Sequence, residues 1–272
     1  MSFVTCNLMG PSATHFGLGN QMFGVAATLS HAKDTQKLAL FPCLRQVEKY
    51  GNYCKNIFRN LNLENIPDTI NHFYKEQDFS FSAIPDKSNM MLEGYFQSEK
   101  YFENNKELIL GSFTLPDDLV NYINIKYSRL LYMQNTVSVH IRRGDYLNHF
   151  KGCFEVLDND YYDKAFSLFP SDSVFVFFGE NPEDFDFCKS KFSLKKTLYI
   201  QSESDIIDLY LMSKMKNNII ANSSFSWWGA WLNVNKDKKV IAPQKWFGKE
   251  HPNLWDSDEK TKDLIPKSWE RI

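Results

Sequence analysis

From Thr136 onward the sequence switches repeatedly between two periodicities, and that switching restricts the fold more than any other feature. Short β-branched or aromatic runs recur at Thr136–Ile141 (TVSVHI), Val174–Phe178 (VFVFF), Thr197–Ile200 (TLYI), Asn218–Ala221 (NIIA) and Lys239–Ala242 (KVIA). Between them lie stretches with helical spacing, Tyr161–Phe169, Pro182–Phe192, Asp205–Met215 and Phe225–Asn233. Strands of about five residues alternating with helices of about ten predict βαβ units and a parallel sheet. Helix starts carry matching punctuation: Asp158 or Asn159 for the first, Pro182 for the second, Ser202 or Ser204 for the third.

The first half is less regular. A strand at Phe3–Leu8 leads through the turn-rich GPSATHFGLGN into a helix from about Gln21 to Lys33, followed by a strand at Lys37–Phe41. Cys43–Lys87 is polar, aromatic and weakly patterned; beyond it, Met90–Gly94 reads as a strand and Glu99–Leu110 and Pro116–Tyr132 as helices. A length of 272 residues suits about two domains. The expected division is 1–134, α/β with an irregular insertion at about 43–87, and 135–272, with the boundary near Gln134–Asn135.

A net charge of -2 argues against a protein that wraps nucleic acid, so any phosphate must be held by local groups. Five cysteines, an odd number with no CxxC pair, suit reduced thiols rather than a disulfide framework or zinc site. The N-terminus lacks a signal-peptide pattern, and no apolar run approaches the ~18 residues of a membrane span. A cytoplasmic protein is expected, with the Asn222 sequon unused. The 15% aromatic content reads mainly as core, with a ligand-lining groove as the alternative.

In open parallel sheets ligands bind beyond the carboxyl ends of the strands. Here those ends read His140-Ile141-Arg142-Arg143-Gly144-Asp145-Tyr146, Gly179-Glu180-Asn181, and Asn222-Ser223-Ser224 running into Phe225-Ser226-Trp227-Trp228. A helix N-terminus flanked by Ser223 and Ser224 is an anion site, and an arginine fork holds two phosphate oxygens. Glu180 could accept from the N1–H and 2-amino group of guanine. Strand alternation puts Arg142 on the face of His140 and Arg143 on the opposite one, making Arg142 the expected ligand. The bland alternatives are surface or salt-bridging arginines, with Asp145 partnering one of them. Trp228, Trp231 and Leu232 have the spacing of a buried helix face, which leaves Trp227 off that stripe as a weak candidate for ligand contact. His15, His31, His72, His149 and His251 are scattered and read as surface or core. Gly17-Leu18-Gly19 is only part of a dinucleotide fingerprint, with Met22 at the third glycine position. The DxD pairs at Asp158–Asp160, Asp184–Asp186 and Asp256–Asp258 follow no strand that could aim them at a diphosphate, so metal-independent chemistry is expected.

The segments GLGNQMF (Gly17–Phe23), HIRRGDY (His140–Tyr146) and IIANSSFSWWGAWLN (Ile219–Asn233) together resemble the bacterial α-1,2-fucosyltransferases of glycosyltransferase family 11. The resemblance implies two facing Rossmann-like domains of the GT-B type around a cleft, an acceptor-side domain over 1–134 and a donor domain over 135–272. It implies inverting transfer of L-fucose from GDP-β-L-fucose to the 2-hydroxyl of a terminal β-galactoside, with no cofactor or metal. Arg142 then neutralises the diphosphate, His140 lies near the nucleotide, and Asn20 faces the pyrophosphate and fucose. Ser223, Ser224 and Phe225 receive the phosphates, and Asp145 is the carboxylate to test as a base, with Asp208 a second carboxylate in a family motif. The family's usual Phe-Ser-Asp-Asp stands here as Phe178-Gly179-Glu180-Asn181. Implied partners are GDP-fucose and an oligosaccharide or glycolipid acceptor of O-antigen type, which would draw the protein to the inner membrane face. The alternatives are a GDP-fucose transferase of another linkage and a non-catalytic glycan-binding module.

Overall fold

The computed structural model describes residues 2–8, 16–46, 53–251 and 258–272. It contains two compact α/β units. One comprises Met1–Asn121 with Asp258–Pro266, the other Tyr122–Ser257 with Lys267–Ile272. His15 and Asp256 lie outside the described residues.

The first unit is built on β1 (Phe3–Asn7), α1 (Leu18–Asp34), β2 (Leu38–Ala39), β3 (His72–Lys75) and β4 (Met90–Glu93). Its four strands are parallel, in the order β2-β1-β4-β3. β3 falls inside the stretch that reads as irregular. It is an edge strand whose His72, Phe73 and Lys75 are exposed, so it lacks the apolar alternation that marks a half-buried strand. The helix expected at Glu99–Leu110 is instead two 3-10 turns, Glu99–Tyr101 and Glu103–Asn105, followed by α2 (Lys106–Ser112). The helix expected at Pro116–Tyr132 is split into α3 (Asp117–Lys126) and α4 (Ser128–Leu131).

The second unit runs β5 (Thr136–His140), α5 (Gly144–Leu147), α6 (Asn159–Ser167), β6 (Val174–Phe178), α7 (Pro182–Lys191), β7 (Thr197–Ile200), α8 (Asp205–Lys214), β8 (Asn217–Ile219), α9 (Ser224–Trp231) and β9 (Val240–Ala242). After α10 (Asp258–Thr261) the chain ends in β10 (Glu270–Arg271). The six strands are parallel in the order β10-β9-β8-β5-β6-β7. The chain fills one side of β5 with β6 and β7, then crosses to lay β8 on the other side. That reversal is the topological switch point at which open α/β sheets bind ligands.

The division departs from the expected one in two ways. It falls inside α3, upstream of Gln134–Asn135, because the second half of α3 is tied to the larger unit: Tyr122 Oη donates to Glu203 Oε2 at 2.6 Å and Lys126 Nζ pairs with the same oxygen at 2.6 Å. Asp258–Pro266 belongs with the first unit, where Asp263 accepts from the Phe81 N–H at 3.0 Å and pairs with Lys100 at 2.5 Å.

Aromatic residues fill the core under the second sheet. Phe166 packs edge-on against Phe175, Phe177 and Phe192, with Tyr162 beside them and Val137, Val139, Ile219 and Ile241 closing the layer. Caps fix the helix starts: Asp158 accepts from the Tyr161 N–H, Ser204 accepts from the Ile207 N–H, and Asn181 and Asp184 form a capping box around Pro182. Trp227 is interior in a separate tryptophan cluster, contrary to its reading as a ligand contact. It is fully buried and packs on Trp228, Trp231 and Trp269. From Ser226 to Trp231 every residue of α9 is buried, so this short helix has no exposed side for an off-stripe residue to occupy. Asn222 is also wholly buried, which leaves its sequon inaccessible to a glycan.

The close approach of α8 and α9 depends on Gly229, where an added Cβ would stand 2.9 Å from the Met212 Cβ. Gly229→Ala is expected to destabilise the fold by about 1–3 kcal/mol, read as a lowered denaturant midpoint with unchanged slope. A midpoint at or above the wild-type value would show that α8 and α9 do not need this contact.

Candidate functional site

β5 delivers His140 to the end of the central strand, and the chain leaves the sheet through Ile141 and Arg142 before α5 begins at Gly144. Gly144 permits the close turn that follows, since a Cβ there would lie 3.1 Å from Asn181 Nδ2 and 3.3 Å from Glu180 Oε2. Two neighbouring strand ends are thereby brought together. Arg142 donates through one terminal nitrogen to Asp145 Oδ2 at 2.6 Å and through the other to Glu180 Oε2 at 3.1 Å. Its guanidinium also stands 5.4 Å from the centre of the Tyr146 ring. Burial works against the arginine's charge, but Asp145, Tyr146 and Glu180 outweigh it and raise its pKa further.

The two arginines divide as strand alternation predicts. Arg143 lies 3.8 Å from the Phe187 ring centre, on a different set of neighbours from Arg142. His140 is buried, its ring 5.7 Å from that of Phe225, which brings the β5 end and the start of α9 together. Burial and then the Arg142 charge push the imidazole down to about 3, so His140 is neutral at physiological pH.

The third strand end is held by Asn222. Its Nδ2 donates to the backbone oxygens of Glu155 and Trp246, each at 2.7 Å, while its own carbonyl accepts from Tyr146 Oη at 2.9 Å. Ser223 is the N-cap of α9, yet its side chain makes no capping hydrogen bond. Ser224 and Phe225 begin the helix and are half-buried. Deeper in, Asn218 Nδ2 bonds Ser138 Oγ at 2.7 Å and the Met212 oxygen at 2.9 Å, and Asn233 Nδ2 bonds Asn218 Oδ1 at 2.8 Å. This buried network joins β5, β8, α8 and the end of α9, fixing the direction of the α9 N-terminus.

One property sets this strand-end cluster apart. His140 Nδ1, Arg142 Nε, Asp145 Oδ1 and Asn222 Oδ1 are buried and lack a hydrogen-bond partner among the described residues. Buried polar groups are ordinarily paired, and four such atoms on adjoining strand ends provide donors and acceptors for a polar ligand. Arg142 and the α9 N-terminus together suit a phosphate anion.

The remaining expected residues divide as follows. Glu180 is the most exposed of the cluster, 54% at its side chain, and is engaged by Arg142. Asp145 is committed through one oxygen to Arg142, in line with its reading as an arginine partner. Asn20 lies on α1 in the first unit, where its Oδ1 accepts from Gln97 Nε2 at 2.7 Å. Sequence reasoning passed over Tyr146 and Asn222, because neither residue type signals a site until its neighbours are known. Asp208, the other motif carboxylate, is buried in α8 with Oδ1 unpaired, and burial pushes it up to about 7. Among the described residues no group of three or more His, Cys, Asp or Glu could hold a metal ion, and no helix is long and apolar enough to cross a membrane.

A parallel sheet with an arginine fork and a helix N-terminus at its switch point presents two anion-favouring groups where open α/β sheets take their ligands. The model of glycosyl transferase family 11 matches residues 5–265. The chain is 31% identical to an alpha-1,2-colitosyltransferase of Escherichia coli, over 100% of this chain and 99% of that protein. It is 38% identical to the Escherichia coli O-antigen biosynthesis glycosyltransferase WbnK over 59% of this chain, a match spanning 56% of that protein. Among solved structures it is similar to the alpha-1,6-fucosyltransferase NodZ soaked with GDP-fucose, with TM-score 0.55 and 14% identity, covering 85% of this chain and 92% of that one. It is also similar to Arabidopsis thaliana FUT1 in complex with GDP, with TM-score 0.52 and 13% identity over 89% of this chain and 70% of that one. The expected fold class of GT-B type is therefore the one this chain has. The chain belongs to glycosyltransferase family 11.

Asp208 sets a pH dependence of stability. Its carboxyl titrates higher in the fold than its ordinary 3.8, so the folded state holds the extra proton between those values. Stability from this group is present below about pH 4 and is lost as pH rises through 7. Wild-type protein should lose more stability between pH 5 and 8 than Asp208→Asn, measured by denaturation at each pH. Parallel pH profiles for the two proteins would contradict this.

Proposed function

We propose that this protein is an inverting, metal-independent fucosyltransferase that moves L-fucose from GDP-β-L-fucose to the 2-hydroxyl of a terminal β-galactoside. The observation that carries the proposal is the cluster of unpaired buried polar atoms around Arg142, beside the α9 N-terminus. Family membership and the likeness to fucosyltransferase structures support the donor class. The donor half is the second unit and the acceptor half the first, with acceptor choice residing in the 43–87 stretch.

As the donor's glycosidic bond loosens, an oxocarbenium-like centre develops on fucose and negative charge collects on the β-phosphate. Arg142, Ser223, Ser224 and the α9 backbone amides stabilise that charge, and Phe225 with neutral His140 lines the nucleotide. Glu180 reads guanine through its N1–H and 2-amino group. Asn20 meets the pyrophosphate and fucose from its own unit. The acceptor hydroxyl attacks the face opposite GDP, and its proton leaves late. Asp145 holds Arg142 through Oδ2 and offers Oδ1 as an acceptor for that proton. The acceptor is an oligosaccharide or glycolipid of O-antigen assembly, a role that the WbnK match supports. A lipid-borne acceptor would place the enzyme at the cytoplasmic membrane face.

A second reading is transfer of colitose, favoured by the match to the colitosyltransferase along the whole chain. One assay separates the readings: each sugar donor is incubated with a panel of β-galactosides in EDTA, and product linkage is read by NMR. The proposal predicts an α-1,2-fucosyl product without added metal. It also predicts at least a roughly hundred-fold loss in Arg142→Ala, since removing one such charge-stabilising donor costs about 2.7–4 kcal/mol. Another linkage, a metal requirement, or near-normal turnover in a folded Arg142→Ala protein would overturn it.

A further inference from the structure

Outside the strand-end site, one half-buried carboxylate makes contacts that lead directly to a proposed donor-binding residue. Glu76 follows β3 and crosses the end of the neighbouring strand β4. Its Oε2 accepts from two successive backbone amides, Tyr95 N–H at 2.7 Å and Phe96 N–H at 2.8 Å. Its backbone joins the same turn, the Glu76 N–H donating to the Glu93 oxygen at 2.8 Å. Gly94 makes room for the crossing. It has φ +154, and a Cβ there would stand 2.5 Å from the Glu76 Cβ. Phe96 is a fully buried, non-glycine residue at φ 51, a conformation that persists only where surrounding contacts impose it. Glu76 imposes it from one side, and the Tyr101 ring, 5.2 Å away edge-on, from the other.

The turn held in this way has two outputs, both toward the start of α1. Gln97, the next residue, donates Nε2 to Asn20 Oδ1 at 2.7 Å. Tyr95 stacks on Phe16 at 4.8 Å, and the Phe16 oxygen accepts from Gln21 Nε2 at 2.5 Å. Burial raises the Glu76 carboxyl to about 7, against the pull of the Phe96 and Tyr95 amides.

We infer that Glu76 is a positioning residue, which sets the Gly94–Gln97 turn so that Gln97 orients the Asn20 side chain toward the sugar donor. The inference rests on the proposed reading that Asn20 meets the donor, and it adds the residues that aim it. Bonds from two successive amides to one oxygen define the turn more narrowly than either alone. A displaced Gln97 would leave Asn20 free to rotate away, and an error of about 1 Å in a positioning group can cost on the order of 10²-fold in rate.

The test is a double-mutant cycle with two controls. Glu76→Ala and Gln97→Ala should each lower kcat/KM for GDP-fucose by about 10- to 100-fold, and the double variant should lose no more than the worse single. Glu76→Gln, which keeps an acceptor oxygen for the amides, should recover most of the loss. Asn105→Ala removes bonds to Ser30 and Asp34 at the far end of α1 and controls for general destabilisation. Amide exchange at Tyr95 and Phe96 reads the turn without any assay of transfer, and should quicken in Glu76→Ala but not in Glu76→Gln. Losses that multiply in the double variant, unchanged exchange in Glu76→Ala, or an equal loss in Asn105→Ala at matched stability would overturn the inference. Quickened exchange with full transfer by Asn20→Ala would instead overturn the reading of Asn20 as a donor contact, and the positioning role with it.

Discussion

The half-buried charge of Arg142 is the constraint around which the second unit is organised. Desolvating a guanidinium is costly, and the surrounding sequence meets that cost with Asp145 three residues on and Glu180 at the end of the next strand. These partners hold the two terminal nitrogens in a defined plane while Nε stays unpaired. An arginine balanced in this way is pre-organised for an anion: part of its ordering entropy and desolvation is met by folding rather than by binding. A diphosphate arriving at this site would meet a cation already oriented, beside the positive end of α9.

That arrangement requires a rigid base. The aromatic layer beneath β5 and β6 and the Asn218–Ser138–Asn233 network give the strand ends little freedom, and Gly229 lets α9 seat directly on α8. The aromatic excess is therefore mostly an interior phenomenon. Phe225 and Tyr146 bring aromatic surface to the strand-end cluster, Phe225 from the first turn of α9, half-buried, with its ring 5.7 Å from that of His140.

The second half of the chain was legible because β5, β6, β8 and β9 are central and largely buried, so each shows as a β-branched or aromatic run. Alternation along a single strand was enough to assign Arg142 and Arg143 to different neighbours. The first half was harder to read. β3 is an exposed edge strand without an apolar face, and the helical spacing of Glu99–Leu110 becomes α-helix only from Lys106, the stretch before it forming 3-10 turns with local caps such as Ser98. Trp227 was misread since helical periodicity presumes one wet face, and α9 has none beyond its first turn. Glu76 carried no signal, and Tyr146 and Asn222 were legible only as members of motifs, because the roles of all three lie in which backbone groups they satisfy. The passage of Asp258–Pro266 back to the first unit rests on an Asp263–Lys100 pair far apart in sequence, invisible to any local pattern.

If Arg142 receives a diphosphate, the nucleoside alone should gain little from it. The most direct measurement is calorimetric affinity for GDP and for guanosine, in EDTA, for wild-type protein and Arg142→Ala. Wild-type protein should bind GDP far more tightly than guanosine. In Arg142→Ala that gap should shrink by about 10- to 100-fold while guanosine affinity stays nearly constant, as expected for the loss of one or two charge-assisted hydrogen bonds. A gap of undiminished size in a folded Arg142→Ala protein would contradict the assignment of the β5 strand end as the diphosphate site.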